Sequence, residues 1–408
     1  MRHRKINEGI VQAGPMRLAY RHAPSAAVEY CGAVVLAGSR NDGPAAPGLA
    51  HFVEHTIFKG TQRRSSWHIN NRMERVGGEL NAYTTKEETI VYTAAPAGNL
   101  NRSFDLIADL CMSSRFPDAE LDKERDVVAD EINSYLDMPS DAVFDDFEDL
   151  LFAGTTLGHN ILGNTEALAT FDSRLCRQYL SDWYTAPNMA IFYYGSATPA
   201  RVAKTVESAF AGISVREPER PAETIAKRST FDICRERGIH QAHTVMGCLT
   251  AGAMSDERFA LALLTNILGG PGMNSRLNIS LRERRGLVYS VDASASLFTD
   301  CGEFAVYFGC DPGDVDRCKD LVNHEIADMA SHPLTERALA AAKKQYIGQL
   351  AVAGDNRENS AIALGRAARL YGHISTAEQT ASAIEAITAD QLADTAKKIS
   401  QLSTLTLR

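Results

Sequence analysis

None of the eight cysteines (31, 111, 176, 234, 248, 301, 310 and 318) stands in a C-x-x-C pair. That excludes a cysteine zinc knuckle, and the scatter fits reduced thiols better than a disulfide framework. Long apolar runs are missing as well: no stretch approaches the roughly 18 residues of a membrane-spanning helix. The opening "MRHRKINEGIVQAG" carries charge but lacks the apolar core of a secretory signal. Positive charge is in deficit, with 42 Lys and Arg against 51 Asp and Glu and a net charge of -9. Such a balance argues against a nucleic acid as the main partner. The glycine-rich "LGGPGM" at 268–273 lacks the pattern and the lysine of a phosphate loop, so it reads as a connection between helices. The expectation is a soluble, cytoplasmic chain with no membrane span and no nucleic-acid partner.

What the chain does contain is enough apolar residue, 45% of 408, for more than one core. Strand-like runs at 16–22 and 26–38 lead into helical periods at 46–61 and 65–78, each closed by glycine or a turn. Strand patterns follow at 79–85 and 88–96, then long helical stretches at 99–116 and 118–137. After residues 213–228, "ISVREPERPAETIAKR", which are polar and proline-bearing, the order of elements repeats. The fold class expected is α+β: two homologous domains, each a mostly antiparallel β-sheet with helices packed on one face. The expected boundaries are 1–212, a linker at 213–228, and 229–408.

The two copies differ at one helix. In the first, "GLAHFVEHTIFKGT" puts His51, Glu54 and His55 within five positions; in the second the matching helix reads "LALLTNILGG". Positions i and i+4 share one helix face, so His51 and His55 can offer imidazoles to a single ion, with Glu54 on the same side. Zinc suits two nitrogens, one further protein ligand and an open position for water, beside a carboxylate able to take a proton. The competing reading is a buried helix with satisfied imidazoles, and a third ligand decides between them. On "DAELDKERDVVADEINSYLD", Glu124 and Glu131 lie two turns apart beside an apolar stripe of Val128, Ile132 and Tyr135. Solvated surface charge is the plainer explanation of both.

"HFVEH" resembles the inverted zinc motif of the pitrilysin and mitochondrial-processing-peptidase family, the inverzincins, in their short two-domain bacterial form. "AGSRNDGPAAPGLAHFVEHTIFKGT", "GGELNAYTTKEETIVY", the glutamate helix and "LGHNILGNTEAL" all share in the resemblance. It implies a zinc metalloendopeptidase with one zinc per chain, bound by His51, His55 and Glu131, which follows His55 by 76 positions. It further implies Glu54 as the catalytic base and Glu124 as a carboxylate orienting a ligand. Asn81, Ala82 and Thr84 would lie on or beside a sheet edge that takes the peptide as an added strand; Asn81 would either donate to a substrate carbonyl or only shape its hairpin. In "LRERRGLVYS", Arg282 and Tyr289 match the family's pair that holds the peptide and stabilises an oxyanion, against a plain ion pair and sheet filling. His159 in "LGHNILG" reads as structural.

The implied substrates are peptides or unfolded segments entering an enclosed chamber. The implied assembly is a homodimer with composite active sites, each zinc half facing the second half of its partner. The alternative from the same family is a non-catalytic structural or processing subunit, whose mark is a lost ligand or base.

Overall fold

A computed structural model describes residues 7–220, 223, 225–226 and 229–408. Of the expected linker 213–228, residues 221, 222, 224, 227 and 228 lie outside the described residues. The chain forms two compact units. The first takes Met1–Asn133, His159–Ala222 and Gly354–Ser375; the second takes Ser134–Gly158, Glu223–Ala353 and Thr376–Arg408.

The sheet of the first unit has six strands, β1 Asn7–Ala13, β2 Met16–His22, β3 Val28–Val35, β4 Glu79–Thr84, β5 Thr89–Pro96 and β6 Met189–Gly195. Their order is β1-β2-β6-β3-β5-β4, and every neighbouring pair is antiparallel except β2 with β6. β1 has no counterpart in the sequence reading. It forms because a two-residue turn, with Gly14 at a φ of 59°, folds "NEGIVQA" back onto β2. One face of this sheet carries α1 Leu49–Thr56, α2 Ser66–Glu74, α3 Leu100–Ser113 and the start of α4 Asp118–Leu136. Cys31, Ala33 and Val35 of β3 meet Phe52 and Val53 of α1, Phe104 and Ile107 of α3, and Val128 of α4 in one core. Tyr135, read from spacing as part of the α4 stripe, is 37% exposed.

β3 is buried along nearly its whole length, which requires cover on both faces. The second cover is the helix Arg357–Leu370, drawn from the far end of the sequence. Its Ala361 and Ile362 close over Val34, Ile90, Tyr92 and Phe192. Gly365 marks the closest approach: a Cβ there would lie 2.7 Å from both Phe192 and Val34.

The second unit repeats the plan with β7 Asp232–Arg235, β8 Ala242–Ala251, β9 Val288–Leu297, β10 Cys301–Cys310 and β11 Ser403–Leu407. The order β7-β11-β8-β10-β9 matches β2-β6-β3-β5-β4 strand for strand, including the single parallel pair at the same place. Here too a helix from the other half, α5 Pro139–Leu151, covers the second face, with Val143, Phe147 and Leu151 against Val245, Ala305 and Leu405. The fold is α+β with two mostly antiparallel sheets. Helices gather on one face of each, and one further helix, exchanged between the halves, covers the other. A contiguous split at 213–228 therefore differs from the compact units by these two exchanged segments.

Gly365→Ala sets two effects against each other. Helix propensity favours alanine by about 1 kcal/mol, while a methyl forced into a closed core costs about 1–3 kcal/mol. Net destabilisation is expected, read as a lower urea midpoint with unchanged slope. A raised midpoint would mean that the helix is not seated on the sheet.

Candidate metal centre

α1 starts at a residue that cannot cap it with a side chain. Gly48 takes a φ of 92°, and a Cβ on it would lie 2.5 Å from the Leu162 carbonyl oxygen. Gly163 faces it at a φ of 71°, with its own Cβ position 2.1 Å from the Pro47 carbonyl. Two glycines thus let two stretches of backbone touch. The cap comes from Asp42, whose carboxylate accepts from the Gly48 N–H at 2.7 Å and the Ala50 N–H at 2.8 Å. His159 Nε2 lies 2.9 Å from the Ser39 carbonyl and 3.4 Å from Asp42, and its own carbonyl accepts from Lys86 Nζ at 2.5 Å. The segments "SRNDGP" and "LGHNILG" therefore serve one purpose, to seat the first turn of α1.

From that seat His51 and His55 project side by side, ring centroids 4.5 Å apart. Glu131 approaches from α4, with Oε2 3.7 Å from His51 Nε2 and 3.4 Å from His55 Nε2. One ligand atom from each of the three residues lies within 4.8 Å of the others. An ion bound at about 2.0–2.1 Å by tetrahedral donors separates those donors by about 3.4 Å, so the observed spacing fits zinc. The electrostatics agree. Burial, then the neighbouring His55, pushes the His51 pKa down to about 3, which keeps its ring neutral. Its buried Nδ1 has no hydrogen-bond partner. The Nε2 atoms of His51 and His55 and the carboxylate of Glu131 face one another, an arrangement that a shared cation would stabilise.

His55 is oriented by its other nitrogen, which donates to Glu124 Oε1 at 3.0 Å and leaves Nε2 free towards Glu131. Burial pulls the His55 pKa down, but the Glu124 hydrogen bond and the charges of Glu54 and Glu131 outweigh it and raise it. Glu124 occupies a core position on α4 between Leu121 and Val128. Burial would raise its pKa, yet His55 and Lys59 hold it below the usual carboxylate range. Lys59 Nζ sits 2.5 Å from Glu124 Oε2. Sequence reasoning missed this lysine, although it stands four positions after His55 on the continuation of the same helix.

Glu54 lines, together with His55, a cleft of 530 Å³ bounded by α2 and β4. Burial raises its pKa, moderated by the Thr84 hydroxyl and N–H and by His55. Asn81 and Ala82 line the same cleft with Gly78, Glu79 and Leu80. β4 is the last strand of its sheet, so its outer edge has no strand partner among the described residues. In the second unit, Arg282 ends a π-helical turn, Asn278–Glu283, and its guanidinium lies 5.9 Å from the ring centre of Tyr289 on β9. Tyr289 is 81% exposed, unlike a sheet-filling residue.

A duplicated α+β chain whose metal donors cluster, among the described residues, in the first half is the class of protein that fold and site define. Within that class, the Insulinase (Peptidase family M16) profile matches residues 17–165, and the Peptidase M16 inactive domain profile matches 175–346. The chain is 31% identical to an "Uncharacterized zinc protease" of Mycobacterium leprae, over 93% of this chain and 86% of that one. It is 29% identical to "Uncharacterized zinc protease YmxG" of Bacillus subtilis, over 94% of this chain and 93% of that one. In fold it resembles the crystal structure of a peptidase M16 inactive domain from Pseudomonas fluorescens (TM-score 0.91, 17% identity, 98% of each chain). A protease from Helicobacter pylori is similar (TM-score 0.90, 18% identity, 99% of this chain and 100% of that one). The chain belongs to peptidase family M16, a family of zinc proteases. No helix among the described residues is long and apolar enough to cross a membrane.

Glu131→Gln keeps the shape and removes the charge. It is expected to weaken zinc binding by more than the roughly 10–100-fold that loss of an outer partner costs. Competition with a chromophoric chelator reads this directly, and parent-like affinity would remove Glu131 from the centre.

Proposed function

We propose that this chain is a zinc-dependent endopeptidase acting on peptides or unfolded segments. The observation that carries the reading is the convergence of His51, His55 and Glu131 at tetrahedral spacing, beside a carboxylate that faces a cleft. These three residues would hold one zinc per chain, which when bound would supply Lewis acidity for a carbonyl and a more acidic water near neutral pH. Glu54 is the residue that would accept a proton from the attacking water and return it to the leaving amine, and its raised pKa suits both acts. Glu124 keeps the His55 ring in place and in the tautomer a metal needs.

The peptide adds a strand along the free edge of β4, where Ala82 and Thr84 offer main chain and Asn81 a side-chain donor to a carbonyl. Main-chain pairing favours extended peptides over any one sequence. Arg282 and Tyr289 supply donors for the developing oxyanion, in keeping with their exposure and mutual contact. In this reading residues 1–212 are the catalytic half and 229–408 the substrate-holding half. The assembly proposed is a homodimer enclosing a chamber, with each zinc half completed by the partner's second half. The eight scattered cysteines, seven of them buried, fit reduced thiols in a cytoplasmic setting.

Glu54→Gln is expected to keep zinc and lose cleavage of a quenched fluorogenic peptide by about 100-fold or more; parent-like cleavage would show that Glu54 is not the base. Arg282→Ala is expected to lower kcat with zinc retained. Mixing the two inactive variants tests the shared site. A composite dimer regenerates one intact centre from the Arg282→Ala chain's zinc half and the Glu54→Gln chain's second half. Activity should therefore return on mixing, and its absence would argue for sites complete within one chain. A parent protein that purifies without zinc and binds none would favour the non-catalytic subunit.

A further inference from the structure

We propose that Lys59 tempers the carboxylate that holds His55, and so trades metal affinity for turnover at this centre. The inference deepens the zinc-peptidase reading and rests on it for its turnover arm only. Glu124 is 7% exposed, and each of its two oxygens is committed: Oε1 to His55 Nδ1 at 3.0 Å, Oε2 to Lys59 Nζ at 2.5 Å. Lys59 reaches it from the short 3-10 turn Ile57–Lys59 that prolongs α1, one turn beyond His55. One carboxylate is thus divided between a metal-facing imidazole and an ammonium.

The division has a direction. A buried carboxylate whose sole partner is an imidazole N–H draws that proton strongly and makes the opposite nitrogen more basic. A more basic nitrogen binds zinc more tightly and leaves the ion a weaker Lewis acid. An ammonium on the second oxygen neutralises part of the negative charge in a low-dielectric setting, where such pairing is strong. The pull on His55 falls, the ligand donates less, and more of the positive charge remains for the substrate carbonyl and the attacking water.

A merely structural lysine predicts something else. Breaking a largely buried ion pair leaves an uncompensated charge and loosens the fold around it. Metal affinity and turnover would then fall together. Lys59 also lines the cleft beside Glu54, Phe58 and Asn81, so a substitution there needs a readout separate from peptide binding.

The test uses full-length protein with Lys59→Met, which removes the charge at similar length, and Lys59→Arg, which keeps it. Three quantities are measured: the zinc dissociation constant by chelator competition, the visible absorption of the cobalt-substituted protein, and kcat and KM on a fluorogenic peptide. Lys59→Met should bind zinc roughly three- to tenfold more tightly, with kcat roughly tenfold lower and KM within about twofold. Its cobalt band should shift, and Lys59→Arg should restore parent values for all three. Zinc binding by Lys59→Met that is unchanged or weaker than the parent's overturns the proposal. A parent that binds zinc yet cleaves nothing would count against the peptidase reading instead, with the affinity and cobalt measurements still deciding the role of Lys59.

Discussion

The contact of Pro47–Gly48 with Leu162–Gly163 is the constraint on which the centre depends. Two stretches of backbone approach more closely than any Cβ would allow, and both glycines hold left-handed conformations. The approach leaves the first turn of α1 without a side-chain cap of its own, so Asp42 supplies one from outside the helix. Asp42 is in turn held beside His159. Rotation and depth of α1 are set there, and with them the directions of His51, Glu54 and His55. A site that needs its donors placed to a few tenths of an ångström requires such a rigid support.

Around that support, burial and charge are set against each other at each position. His51 is neutral because it is buried next to another histidine. Glu124 is ionised in spite of burial because an imidazole and an ammonium both point at it. Glu54, buried with fewer compensating donors, lies on the protonation-prone side of an ordinary carboxylate. Two glutamates on either side of His55 thus differ in character through environment alone.

Much of this was legible in the linear chain. The i, i+4 histidines with Glu54 between them declare a shared helix face without tertiary information, because helical geometry is local. The repeat of element order on either side of 213–228 anticipated two sheets of matching strand order. Spacing sets Glu131 and Glu124 beside an apolar stripe as candidates, but only the resemblance gives them roles, since nothing in the spacing of α4 separates an inward glutamate from a solvated one. Lys59 and Asp42 went unremarked. A cation four positions past a ligand and an acid six before a glycine are ordinary until the chain folds them onto a particular carboxylate and a particular N–H.

The linear chain sufficed to say which residues share a helix face, which runs form strands, and that the His-x-x-Glu-His cluster occurs in one copy of the duplicated unit. These follow from the 3.6- and 2-residue periods of the backbone. Only the tertiary structure decided that helices 139–151 and 357–370 cover the sheets of the opposite halves, and which glutamate meets which histidine. Both depend on surfaces distant in the chain, and an apolar helix face carries no mark of the sheet it will cover.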